Sequence, residues 1–390
     1  VLNGYSRHLI DPDRMTVAGF LKKNGYTTAC VGKWHLGMDY AYSDKDTNTI
    51  DTDKAIENAP TQNGFDYFYG IPASLDFPPY GYIKNDKFVE PLSRTVERRP
   101  FPAFIRKGPM GKTFNHQTSL DHMLGKAKEV IKNGADSADP FFLYFALTAP
   151  HKPALPAERF ETNTQLGPYG DFITQVDWTV GEIMKSLEKS GVDEDTLLIV
   201  SSDNCSYMYE LSEDKTDHSE DTTVQGYHPS SHRANHIYRG TKADIWEGGH
   251  RVPFFARWPK HIKPGTQCKD TICLTDFMAT CADVVGNDIP AGAAEDSFSF
   301  YRQMHGEKAD KKRPPVIHHS VNGTFAIRDG DWKLVLSNGS GGREKPKGKP
   351  FEKPYQLFNL RKDPSETNNV IKEYPDIAKK LENKVKEIRS

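Results

Sequence analysis

Apolar positions along this chain recur with two different periods. Val17, Ala18, Phe20 and Leu21 fall at helical spacing, and Gly25 follows as a stop. Residues 26–31 are short and β-prone, and Gly32 ends them. Leu120, Met123, Leu124, Ala127, Val130 and Ile131 predict an amphipathic helix ending near Gly134. Residues 141–147 then read as a fully buried strand. Ile173, Val176, Val180, Ile183, Met184 and Leu187 predict another helix, stopped by Gly191, and 196–200 a second buried strand. Between these elements, 38–115 is rich in Asp, Asn, Pro, Tyr and Phe with little periodicity, as expected of loops rimming a binding site. Residues 206–240 are polar and His-rich and read as a long loop, and 275–285 as a helix ending at Gly286.

Alternation of helix and buried strand predicts an α/β domain with a large, mostly parallel sheet flanked by helices. Beyond 290–300 the texture changes. Strands are expected at 316–320, 325–328 and 332–336, with turns at Asn322-Gly323 and Asp329-Gly330. A Lys/Gly/Pro loop covers 339–354, and a helix begins near Pro375 with Ile377, Leu381, Val385 and Ile388 on one face. The expected division is a catalytic domain over 1–295 and a small α+β domain with an antiparallel sheet over 296–390.

Composition narrows the function. A net charge of −2 argues against a nucleic-acid binder, so an anionic substrate must be captured by a few placed cations. No apolar run approaches the ~18 residues that span a bilayer. Five cysteines with no Cys-x-x-Cys spacing give little support to a disulfide framework or a structural zinc site, although one bridge among Cys268, Cys273 and Cys281 stays open.

The predicted strands share a property. Residues 26–31 are followed by Lys33-Trp34-His35, 141–147 by Pro150-His151-Lys152-Pro153, and 196–200 by Asp203-Asn204. Ligands of open α/β sheets bind beyond the carboxyl ends of the strands, so these groups are expected at one edge. Asp203 and Asn204 offer hard oxygen donors suited to Ca²⁺ or Mg²⁺. A metal, lysines for an oxyanion and histidines for protons together suit hydrolysis of an anionic ester. His218, His228, His232, His236 and His250 suggest zinc by count, but their polar, irregular setting favours a solvated or substrate-contacting loop.

The motifs then become specific. The run from Gly25 through Cys30, Lys33 and His35 to Gly37 resembles the second signature of the sulfatase family. Ser202-Asp203-Asn204 resembles its second metal-binding pair. Gly240-Thr241-Lys242 with Trp246-Glu247-Gly248-Gly249 and Arg251-Val252-Pro253 resembles a third block, and Pro150-His151-Lys152-Pro153 a fourth. The resemblance extends through 325–334 and 363–366, covering nearly the whole chain.

That resemblance implies an alkaline-phosphatase-like fold and hydrolysis of sulfate monoesters, with a sulfated carbohydrate or small molecule as partner. It implies a formylglycine, made from a Cys or Ser, as nucleophile and one Ca²⁺ ion, with Mg²⁺ the second choice. Lys33 and Lys242 would neutralise sulfate oxygens, His35 would bind the formylglycine hydroxyl, and His151 would sit with Lys242 by the leaving oxygen. Asp203 and Asn204 would ligate the metal. His318 and Trp246, with Tyr80 and Tyr82, are candidate substrate-pocket residues. The family location is periplasmic, secreted or lysosomal.

Two departures stand out. Cys205 replaces the Gly that usually follows the Asp-Asn pair, where a positive φ is easier for Gly. No Cys/Ser-x-Pro-Ser-Arg block and no Asp-Asp pair occur, so the chain is expected to be N-terminally incomplete, and inactive and weak in calcium binding by itself. A phosphate or phosphonate monoester hydrolase on the same fold and a non-catalytic sulfoglycan-binding protein remain alternatives.

Overall fold

A computed structural model describes residues 3–44, 46–308 and 312–389. Helix α1 (Val17–Lys23) starts where the Thr16 hydroxyl accepts the Gly19 N–H at 2.9 Å, and its apolar face buries Ala18, Phe20 and Leu21. Strand β1 (Thr27–Lys33) follows. It lies in parallel between β2 (Tyr67–Ile71) and, across the chain, β5 (Phe141–Ala146). Short antiparallel strands β3 (Ile83–Lys84) and β4 (Lys87–Phe88) complete a five-stranded sheet in the order β4-β3-β2-β1-β5.

Side chains alternate across β1. Val31 packs with Tyr69, Ile71 and the Met123, Leu124, Ala127 and Ile131 stripe of α2 (Ser119–Ala135). Cys30 faces the other way, with Phe68, Trp34 and Phe65. Each buried Leu or Ile of this kind stabilises the fold by roughly 1.5–3 kcal/mol. Gly32 and Gly70 are paired in register near the end of β1. A Cβ on Gly32 would come within 2.0 Å of the Ala146 carbonyl oxygen, so glycine is what lets the three strands close up just before Lys33.

The sheet is mixed rather than mostly parallel, and it is smaller than the pattern suggested. Strand β6 (Leu198–Ser201) does not join it. It pairs antiparallel with β7 (Phe254–Arg257) in a two-stranded sheet of its own. The burial expected of 141–147 is also incomplete. Strand β5 is paired on one side only among the described residues, so Tyr144 is 49% exposed, and on β7 Phe255 is 67% exposed. Helix α3 (Gly167–Lys189) packs against α2 through Ile183 and Leu187. A short helix α4 (Glu247–His250) precedes β7, and α5 (Phe277–Val285) ends on Gly286 in the left-handed region.

The C-terminal region forms an antiparallel sheet of β8 (Val316–His319), β9 (Phe325–Asp329), β10 (Trp332–Val335) and β11 (Gln356–Asn359). Helix α6 (Pro375–Arg389) covers it with Ala378, Leu381 and Val385. Its other face receives Ile245 and Trp246 onto Ala326, Val335 and Phe358. Beside this contact Lys333, 0% exposed, places its ammonium 3.0 Å from Glu247 and 2.9 Å from Glu366. A buried charge without such partners would cost several kcal/mol, so the pairing ties the 240–250 segment firmly to the C-terminal sheet.

Candidate functional site

Beyond β1 the chain keeps alongside the continuation of β2. Trp34 and His35 donate their backbone N–H groups to Ile71 and Pro72 carbonyls at 3.0 and 2.9 Å. His35 sits in the left-handed region at φ 56°, which turns its imidazole toward the 72–76 segment. There the Ser74 backbone N–H donates to His35 Nδ1 at 3.1 Å. A backbone N–H can only donate, so Nδ1 is unprotonated and the neutral ring carries its proton on Nε2.

His151, beyond β5, is fixed in the opposite tautomer. Its Nδ1–H donates to the Lys152 carbonyl at 2.7 Å, which leaves Nε2 as the free nitrogen. The same Nδ1 lies 3.7 Å from Asp76 Oδ1. Asp76 is 1% exposed and is satisfied by the Ser74 hydroxyl at 2.7 Å and the Arg106 guanidinium at 2.6 Å. Asp76 and Ser74 thus support both histidines from behind. Neither was signalled in the sequence, because 72–76 lies in the aperiodic 38–115 stretch.

Lys242 is carried by a turn that Asp244 closes, accepting the Thr241 N–H at 2.9 Å. The Lys242 N–H donates to the Ser206 carbonyl at 2.8 Å, and Asn235 bridges Ser206 and Gly240. Part of the His-rich loop therefore acts as scaffolding for Lys242.

These side chains share one electrostatic field. Burial, then Lys33 and Lys242, push His35 down to about 4. Burial, then Lys242 and Lys33, push His151 down to about 3, with Asp76 opposing. Burial lowers Lys242 to about 8, with Asp203 opposing and Lys33 adding to the shift. Lys33, His35, His151, Lys242 and Asp203 thus act on one another electrostatically, and Asn204 follows Asp203 in the chain. Asp203 is exposed and has no ion-pair partner among the described residues. Its carboxylate and the Asn204 amide oxygen fit two places in an oxygen-ligated calcium site, which normally takes 6–8 donors. No group of three or more His, Cys, Asp or Glu side chains suited to a metal occurs among the described residues.

Other expected pocket residues lie elsewhere. Trp246 is 0% exposed, packed in the contact with the C-terminal sheet under the Arg239 guanidinium at 3.6 Å. Its neighbour Ile245 is buried with it, so this aromatic ring packs into the core contact rather than a sugar pocket. Tyr80 and Tyr82 are core residues against Phe114. His318 packs on His250 with ring centroids 4.5 Å apart, near Lys333, instead of joining the Lys33 cluster. Cys205 is not among the residues of positive φ, so the Gly-to-Cys departure costs no backbone strain. All five cysteines are free.

Known proteins resemble this chain in sequence and fold. The family model described as Sulfatase matches residues 2–287, and that described as N-sulphoglucosamine sulphohydrolase, C-terminal, matches 241–390. An N-acetylgalactosamine-6-O-sulfatase of Bacteroides thetaiotaomicron is 30% identical, over 99% of this chain and 79% of that protein. Human arylsulfatase A is 25% identical, over 95% of this chain and 69% of its own length. The chain spans 61% of an arylsulfatase of Hemicentrotus pulcherrimus and 58% of rat steryl-sulfatase. A solved 6S-sulfatase of Bacteroides thetaiotaomicron, described with metabolism of multiple glycosaminoglycans, superposes with TM-score 0.82 at 29% identity, covering 99% of this chain and 84% of that one. A solved Pseudoalteromonas sulfatase shares the fold at TM-score 0.72 and 22% identity, covering 99% of this chain and 75% of that one.

Proposed function

Since this chain belongs to the sulfatase family, we propose that the complete protein hydrolyses sulfate monoesters of a carbohydrate, using a formylglycine nucleophile and one calcium ion. The observation that carries this reading is the convergence of two lysines and two histidines of fixed, opposite tautomers at the ends of β1, β5 and the 240–244 turn.

Lys33 and Lys242 hold the sulfate oxygens, and burial raises the value of each cation there because water screens it less. His35 presents Nε2–H as a donor, since Nδ1 is committed to Ser74. It can donate that Nε2–H to the nucleophile's hydroxyl oxygen, and it has no free basic nitrogen while Nδ1 accepts the Ser74 N–H. His151 presents Nε2 toward the leaving oxygen, with Nδ1–H held by Lys152. Its low proton affinity is set by burial and two lysines, so a bound sulfate that offsets those charges raises it toward the range of a working acid. Calcium, when bound, neutralises charge on the sulfate, and formylglycine supplies the attacking oxygen.

Asp203 and Asn204 supply two of the calcium donors. The remaining calcium donors and the formylglycine precursor are not assigned to residues of this sequence. Among the described residues β5 and β6 are each paired on one side only, and Tyr144 and Phe255 are exposed, which leaves room for a further strand beside them. A periplasmic, secreted or lysosomal location is proposed on family grounds, and no helix among the described residues is long and apolar enough to cross a membrane.

Paired sulfate and phosphate monoesters of one sugar, assayed with the complete protein, test the reaction class. Faster release of sulfate is expected, and a preference for phosphate would overturn the assignment.

A further inference from the structure

The site holds more cations than one ester requires. A sulfate monoester carries one negative charge, which Lys33 and Lys242 already oppose. Two other cations make no ion pair among the described residues, although Asp76 acts on the first from a distance: Lys152 and Arg343. Both are half-buried. Unpaired, partly desolvated cations are costly to maintain unless a ligand meets them.

Their positions are fixed by backbone contacts. Lys152 directly follows His151 and lays its ammonium over the Phe104 ring at 4.5 Å. Arg343 comes from the C-terminal region, in the stretch whose composition suggested a solvated loop. Instead, residues 340–344 lie on the Lys242 turn. The Ile245 N–H donates to the Ser340 carbonyl at 2.7 Å. The Arg343 N–H donates to Asp244 Oδ1 at 2.6 Å, while the other oxygen of that carboxylate holds the Thr241 N–H at 2.9 Å. One buried carboxylate therefore holds both the backbone of Arg343 and the turn that carries Lys242. A Cβ at Gly342 would meet the Ala243 carbonyl oxygen at 2.4 Å, so glycine permits this approach.

The cations act on one another across this space. Burial lowers Lys152, with Asp76 opposing and Arg106 and then Arg343 adding, and burial lowers Lys242, with Asp203 opposing and Lys33 and then Arg343 adding. The Tyr207 hydroxyl is buried with no hydrogen-bond partner among the described residues. Lys152 directly follows His151 and Arg343 is held on the Lys242 turn by Asp244, so the two cations border the same site.

We propose that Lys152 and Arg343 form a second anion subsite, which selects glycans carrying another anionic group, a sulfate or a carboxylate, near the ester to be cleaved. This rests on the sulfatase reading for the identity of the first anion. It places specificity in a residue pair drawn from both regions of the chain, with the reaction itself left to Lys33, His35, His151 and Lys242.

The test is titration of this 390-residue chain at low salt, followed by NMR up to tens of millimolar ligand. Three probes are compared: a monosulfated N-acetylhexosamine, the same sugar with a second sulfate, and that monosulfated sugar linked to a uronic acid. An added anion meeting two partly buried cations should tighten binding about tenfold or more, and less so in high salt. Gain with the disulfate or with the uronate supports the subsite and identifies which group it takes. Arg343→Gln and Lys152→Gln, each verified by its melting curve, should bring the ratio of affinities toward one. Lys107→Gln, an exposed cation paired with Glu97, should leave the ratio alone. Equal affinity for all three probes, or a gain that survives both substitutions, overturns the proposal. Absence of sulfate ester hydrolysis by the complete protein, with the affinity gain intact, would instead defeat the proposed reaction alone.

Discussion

The Ser74 backbone N–H donates to His35 Nδ1 at 3.1 Å, and through that bond the 72–76 segment decides what His35 can do. A donor fixed at Nδ1 excludes protonation there, in agreement with the downward shift of His35 to about 4. Nitrogen-15 NMR of the imidazoles should therefore show His35 as the Nε2–H tautomer, staying neutral from pH 7 to about pH 4.5. A resonance titrating near the ordinary value of ~6.5 would show that this bond does not hold in solution.

Asp76 is the support shared by both histidines. Asp76→Asn should lower stability by about 1–3 kcal/mol, because Arg106 and Ser74 lose the charged acceptor they surround. It should also remove the opposing charge 3.7 Å from His151, so that His151 titrates still lower. Denaturant melts and histidine NMR check the two effects. Unchanged values in both would show Asp76 to be a bystander.

Lys242→Ala should cut turnover of the complete protein about a hundredfold, the value of ~3 kcal/mol of charge stabilisation in the transition state. Folding should change little, because the turn is held by Asp244 and the Ser206 carbonyl rather than by the ammonium. Near-normal turnover in the folded variant would remove Lys242 from the mechanism.

Acid should unfold this protein in a defined window. His35, His116 and His250 are each lowered to about 4, chiefly by burial. Below the unfolded value of ~6.5 the unfolded chain binds protons that the folded chain refuses, so stability rises with pH across that interval. It should fall progressively from pH 6.5 to about pH 4. Urea midpoints that stay flat between pH 7 and pH 4.5 would contradict the buried, neutral state of these rings.

The sequence revealed the groups that sit at strand ends and missed those assembled by tertiary contact. Lys33, His151 and Asp203 follow apolar runs whose periodicity is local, so their positions beyond strands could be read directly. Asp76 and Arg343 lie in stretches with no periodicity, 38–115 and 339–354, and are placed by tertiary contacts, Asp76 by the Arg106 guanidinium and Arg343 by its N–H bond to the Asp244 carboxylate. Strands β7 and β11 are four residues each, too short for a pattern to stand out. Strand β5 was read as fully buried from its composition, but burial depends on neighbours, and one edge is unpaired among the described residues. Trp246 is an aromatic residue of a type that suits a sugar pocket, but its ring fills the contact with the C-terminal sheet.

The central claim is that Lys33, His35, His151 and Lys242 act on a sulfate ester once a nucleophile and the remaining calcium ligands join them. The most direct measurement is sulfate release from a monosulfated saccharide, with added calcium, by the complete protein and by its Lys33→Ala, His35→Ala, His151→Ala and Lys242→Ala variants. The unaltered protein should turn over, and each folded variant should lose about a hundredfold or more of that rate. Near-normal rates from the folded variants would contradict the roles given to these four residues.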